Sequence, residues 1–265
     1  MPTIFNQKLH PSAFRAQSYR RRKNPSNTVI ITDPSRRLRK IIGNVKFSII
    51  FHSRIMTYVY EAAIKPDVAE KITSLGDVNE VLTIEKQGNL NIISDLSNAV
   101  SLKDVLNLKE YCRFVLKDCK ILVADVVAGI STLHAVNLQR NKFSLEDILL
   151  VQRRDTFYFQ IAGIENCTCI DDHEPTNNLE MKSFQDLLTF VAERLEEKKE
   201  VKSIRDLSTD LEKYDALNSD ALYQARTHFR EEILSYERQG LKTYVKCVQA
   251  VVTPVGEEYY WNIKE

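Results

Sequence analysis

The chain has 265 residues, 43% of them hydrophobic, and a formal net charge of +1 at pH 7. That is enough apolar material for one large domain or two small ones, and no global field draws the chain to nucleic acid or an anionic membrane. No apolar stretch is long enough to span a bilayer, and five cysteines without regular spacing point to reduced thiols. Met1–Gln7 lacks the basic-then-apolar order of a secretory signal, so the expected location is intracellular, cytoplasmic or nuclear. Cys167 and Cys169 lie near His173, but no second ligand pair follows at zinc-site spacing, so no metal centre is expected there.

The charge is unevenly spread. Residues 1–46 carry eleven Lys or Arg against Asp33 alone. Residues 1–37 also hold Pro2, Pro11, Pro25 and Pro34, which predicts a basic, mostly irregular arm. One apolar run inside it, Thr28–Thr32, reads as a short strand. The block Arg20, Arg21, Arg22, Lys23 is a candidate contact for nucleic acid or an acidic protein. The same block serves equally as a solvated arm that binds nothing.

From Leu38 the pattern becomes that of a folded domain. Leu38–Gly43 reads as a strand ending in a turn, Lys46–Phe51 as its hairpin partner and Tyr58–Lys65 as a third strand. Asp67–Ser74 gives about two turns of helix before Leu75-Gly76-Asp77 breaks the pattern. Val81–Glu85 and Leu90–Ser94 read as strands joined by a turn at Lys86–Asn89. Ser101–Asn107 reads as a short helix with Ser101 as its N-cap. Phe114–His134 is apolar at Val115, Ile121, Leu122, Val126, Val127, Ile130 and Leu133, the spacing of a helix buried on much of its surface.

An irregular polar segment, Ala135–Asp147, follows. Then come a strand at Ile148–Val151, a turn at Gln152–Thr156 and a strand at Phe157–Ile161. Leu179–Leu195 is the next helix, Glu196–Glu200 a solvated charged stretch, and Ile204–Leu217 and Ser219–Tyr236 two amphipathic helices, the second ending at Gly240. Past Leu241 the period changes. Tyr244–Val252 reads as a strand and Glu258–Ile263 as another, and Trp261 in this aromatic tail is a candidate partner contact.

This order of elements resembles the protein kinases. Ile42-Gly43-Asn44-Val45 stands where the family has its glycine-rich loop, and Ala62-Ala63-Ile64-Lys65 where it has the Val-Ala-Ile-Lys strand. Glu70 is the nominal partner of Lys65. Ser94–Ser97 is similar to the hinge between lobes, and Ala128–His134 to the Gly-x-x-x-Leu-His ending before the catalytic loop. The resemblance implies an α+β, two-lobed, protein-kinase-like fold of reduced size. Its β-rich small lobe would span 38–96 and its helical large lobe 101–240, with the arm 1–37 before them and the tail 241–265 after.

The family's chemical residues are largely replaced. Counting back from Ile148, Asp147 takes the place of the metal-binding Asn and Lys142 that of the catalytic Asp. A lysine ammonium cannot take a proton from a hydroxyl at neutral pH unless heavily desolvated. After Phe157–Ile161, Gly163 stands where the family has the Asp that holds Mg²⁺, and Glu165 comes two residues later. Val45 replaces the second glycine of the loop, and its side chain hinders close approach of phosphate. Glu180 stands where an Asp anchors the catalytic loop, with Ser183-Phe184 following.

The resemblance therefore implies a pseudokinase, a catalytically inactive scaffold or allosteric regulator that binds a protein partner such as a true kinase or an assembly component. No cofactor is expected. The alternative is a nucleotide-binding or weakly active serine/threonine-type kinase, holding ATP with or without Mg²⁺ through Gly43, Lys65, Asp95 and Asp147. A third reading is a non-kinase interaction protein with a nucleic-acid-binding arm.

Overall fold

The computed structural model describes residues 38–52, 55–87, 90–93, 96, 98–108, 113–170, 179–194 and 235–252, with positions 202, 203, 205, 206 and 209. It begins with a hairpin. Strands β1 (Leu38–Ile42) and β2 (Val45–His52) pair antiparallel around Gly43-Asn44, and β3 (Ile55–Tyr60) lies along the other side of β2. Phe47 faces Tyr60 across the ladder, and the Phe47 ring meets those of Tyr58 and Tyr60 edge-on, with centroids 6.2 and 5.9 Å apart. These rings form one buried face of the sheet.

The sequence reading carries the third strand on to Lys65, but the structure ends it at Tyr60. Pro66 is the reason. Proline suits the first position of a helix, and α1 (Pro66–Ser74) starts on it with Lys65 as N-cap. Residues 61–65 are thereby spent on the connection. Helix α1 buries Val68, Ala69 and Ile72. Strands β4 (Glu85–Gln87) and β5 (Leu90–Ile93) complete an antiparallel sheet of order β1-β2-β3-β5-β4. The strand read at Val81–Glu85 lies later, at Glu85–Gln87, and runs into the stretch read as a turn at Lys86–Asn89. Val81 bridges to Ile161 instead, and the Leu82 N–H donates to the Ile161 carbonyl at 2.8 Å.

The rest of the mixed α+β fold is built around one helix. Strand β6 (Val100–Ser101) leads into α2 (Leu102–Asn107), where the Ser101 hydroxyl accepts the Asp104 N–H at 3.1 Å. Helix α3 (Leu116–His134) follows, with every residue from Ile121 to Ile130 buried. Strand β7 (Leu138–Arg140) lies inside the segment read as irregular. Strands β8 (Ile148–Arg153) and β9 (Thr156–Ile161) form a three-stranded sheet with β6, and β10 (Cys167–Cys169) pairs with β7. Helices α4 (Leu179–Ala192), α5 (Ser235–Gly240) and α6 (Lys242–Val252) complete the described elements. Among the described residues no helix is long and apolar enough to cross a membrane.

Helix α6 corrects the strand read at Tyr244–Val252. Its run of valines favours a strand locally, but Leu241, Tyr244, Val245 and Val248 are the buried positions, and that spacing is helical. The strands read at Thr28–Thr32 and Glu258–Ile263 lie outside the described residues, as does most of the helices read at Ile204–Leu217 and Ser219–Tyr236.

Two acids on α3 fasten the C-terminal helices to it. Arg238 grips Asp125 through two hydrogen bonds of 2.8 and 2.7 Å, and the Phe159 N–H donates to the same carboxylate at 2.9 Å. The Tyr244 hydroxyl donates to Asp118 at 2.6 Å. Burial raises the Asp125 pKa, and the bonds and charge of Arg238 oppose that shift. Replacing Arg238 by Ala strands a fully buried carboxylate, and the expected cost at pH 7 is about 3–5 kcal/mol. In that variant the folded state holds a proton on Asp125 above the ordinary value of 3.8, where the unfolded chain releases it, so stability falls as pH rises through that window. Urea unfolding is expected to show a smaller deficit for Arg238→Ala at pH 5 than at pH 7.

Candidate functional site

Strand β7 ends at Arg140, whose side chain is buried to 1% exposure. A guanidinium at that depth needs an acceptor for its donors. Its Nε donates to the Lys142 carbonyl at 2.9 Å. Nη1 donates to the Ala162 carbonyl and, at 2.8 Å, to the Gly163 carbonyl, while Nη2 pairs with Asp147 Oδ2 at 2.8 Å. That oxygen also accepts the Ser144 N–H at 3.0 Å and the Ser144 hydroxyl at 2.7 Å. The Asp147 carbonyl accepts the Ala162 N–H at 2.7 Å, which joins the start of β8 to the end of β9.

Gly163 makes this arrangement fit. It sits at φ +68°, and a Cβ there would lie 2.8 and 2.9 Å from the two terminal guanidinium nitrogens. The arginine occupies the space that a side chain at 163 would need. Helix α4 fixes the same segment from behind. Glu180 accepts the Arg140 N–H at 3.0 Å through one oxygen and meets His134 Nε2 at 2.6 Å through the other, and the Ser183 hydroxyl accepts the Phe143 N–H at 2.8 Å.

The five-stranded sheet closes onto this centre. Gly43 turns at φ +58°, and a Cβ there would collide with the Glu146 carbonyl. Lys103 of α2 forms an ion pair with the Glu146 carboxylate, and the Asn44 side chain also bonds it. The Lys103 contact, chiefly, holds the Glu146 pKa below its ordinary value. The Tyr60 hydroxyl, at the end of β3, donates to Glu165 in the 3-10 turn Ile164–Asn166. Burial, and then the bond and charge of Glu165, push the Tyr60 phenol well above its ordinary value, so it remains a donor. Farther out, Lys71 Nζ donates to the Asn137 carbonyl at 3.0 Å and Cys169 Sγ to Asp67 at 3.1 Å.

Of the residues singled out in the sequence, Gly43 and Asp147 come into one region, with Glu146 between them. Lys65 does not join them. It is exposed, lies beyond β3, and forms no ion pair with the likewise exposed Glu70. Lys142 is exposed and contributes only its carbonyl. Asp95, Arg20, Arg21, Arg22, Lys23 and Trp261 lie outside the described residues. The residue that sequence reasoning missed is Arg140. For Arg140 a signal exists: a glycine where a carboxylate is expected, and an aspartate where a neutral amide is expected, together leave room and charge for one cation.

The resembled family holds Mg²⁺ at this point between two carboxyl or amide side chains. The residues here do not fit it. Asp147 is already paired, Gly163 offers no side-chain ligand, and the guanidinium fills the space. Among the described residues no group of three or more His, Cys, Asp or Glu could hold a metal ion.

No protein-family model and no curated protein matches the chain. Among solved structures, a chain in the crystal structure of the yeast RNA Pol II CTD kinase CTDK-1 complex is similar, with a TM-score of 0.45 and 14% identity over 60% of this chain and 61% of that one. The match thus spans less than two thirds of that chain's length.

Gly43→Ala would put a side chain both in the left-handed region and against the Glu146 backbone. The expected loss is about 1–3 kcal/mol, read as a lower urea midpoint.

Proposed function

We propose that the chain is a catalytically inactive, protein-kinase-like module, with the two-lobed frame of that family, acting by binding another protein as a scaffold or allosteric regulator. The observation that carries this reading is the closure of the region where the resemblance puts phosphates and metal. The Gly43-Asn44 turn rests on Glu146, Tyr60 is bonded to Glu165, and Arg140 lies between Asp147 and Gly163. Phosphoryl transfer depends on positioning and on electrostatic stabilisation around metal-bound phosphate. Both need open space and free carboxylates. Lys142 is exposed and brings no carboxylate to the place where the resemblance puts the general base.

A closed frame of this kind presents a fixed shape, which suits a binding partner such as a true kinase or an assembly component. The basic arm at Arg20–Lys23 supplies a second contact, complementary to an acidic protein or nucleic acid. Thermal unfolding of the full chain with ATP tests the reading, because a ligand of the native state raises the midpoint by mass action. No shift is expected at millimolar ATP, with Mg²⁺ or with EDTA. A Mg²⁺-dependent rise that Asp147→Asn abolishes would overturn the reading in favour of an active or nucleotide-binding enzyme. A metal-independent rise would overturn the closed cleft and make nucleotide a structural ligand.

A further inference from the structure

The acceptors around Arg140 come from two segments, the loop between β7 and β8 and the stretch just after β9. They are the Lys142 carbonyl, the Asp147 carboxylate, and the carbonyls of Ala162 and Gly163. A carboxylate with backbone carbonyls is the donor set of a hard-cation site. We infer that the Arg140 guanidinium is a built-in cation, occupying an oxygen cage that would otherwise take up a cation from solution. The inference rests on the closed, non-catalytic reading of the same region and deepens it. Closure does not depend on a divalent cation, because the positive charge is part of the chain.

Three observations support this beyond the bonds themselves. The cage supplies one formal negative charge, on Asp147, against the single positive charge of the guanidinium. The cage residue Gly163 has no side chain, and any Cβ would meet Nη1 and Nη2. The backbone of Arg140 is held separately by Glu180, so removing the side chain would leave the loop tethered and the oxygens still grouped. A planar fork of donors also meets acceptors from several directions at once, which a compact ammonium cannot do.

The test is thermal unfolding of the full chain, wild type and Arg140→Ala, in EDTA, in Ca²⁺ or Mg²⁺, and in methylguanidinium, each cation at about 10 mM, where mass action on a weak site is measurable. The wild type is expected to be insensitive to all of them. Arg140→Ala is expected to unfold at lower temperature and to regain about 3 °C or more with at least one cation. That gain is expected to vanish in Arg140→Ala combined with Asp147→Asn. No response of Arg140→Ala to any cation would overturn the inference, since a purely packing role for Arg140 moves the midpoint but not its cation dependence.

If Arg140→Ala folds only when a cation is present, the inference holds. If it folds under no condition, Arg140→Lys and Arg140→Gln decide. The lysine variant must then be clearly the more stable, and equal midpoints would overturn the inference. A Mg²⁺-ATP response of the wild type would instead overturn the non-catalytic reading, so the two failures are distinguishable.

Discussion

A buried guanidinium dictates the arrangement of everything that touches it. Desolvating Arg140 would be costly unless its donors found acceptors and its charge found a counter-charge. Meeting those needs fixes the turn at Ser144–Asp147, the end of β9 and the backbone of Lys142 relative to one another. Because the β7–β8 loop and the end of β9 are separate parts of the chain, one side chain does what several packing contacts otherwise would. Glu180 adds the constraint from behind, through the Arg140 N–H and His134. In a low-dielectric setting such a network is stabilising only when complete, which makes its members interdependent.

The sheet depends on that centre in turn. Tyr60 reaches it through Glu165, and the β1–β2 turn reaches it through Glu146. Both contacts need residues that tolerate the geometry: a glycine at a positive φ for the turn, and a phenol that stays neutral beside a carboxylate. The Val81–Ile161 bridge adds a backbone tie between the chain entering β4 and the end of β9. The C-terminal helices are secured to α3 by the same logic, where Asp118 and Asp125 are buried acids met by Tyr244 and Arg238.

Much of this was legible in the sequence where local chemistry and tertiary packing agree. The Gly43 turn, the Ser101 cap and the buried α3 follow from turn residues, capping residues and apolar spacing, while the anchoring position of Glu180 was implied by the resemblance. The errors fall where one local signal outweighed another. The strand run to Lys65 ignored the power of Pro66 to start a helix. The valines of α6 suggested a strand, though the buried positions recur at helical spacing. Strand β7 was hidden because three residues with a polar centre carry almost no periodicity. Arg140 was invisible as a hub because an arginine in a polar segment is most often solvated, and only the missing carboxylate at Gly163 hints otherwise.

The residues at this centre depend on one another. A carboxylate at position 163 would bring a second negative charge, but its Cβ would occupy the guanidinium's place. A lysine at the end of β3 would set a second cation near Arg140 in a medium that screens little. Tyr60 avoids that repulsion, since a neutral phenol donates to Glu165 without adding charge. Gly163, Arg140 and Tyr60 are thus mutually compatible in size and charge. A side chain introduced at position 163 would therefore displace the guanidinium and disturb the whole network around it.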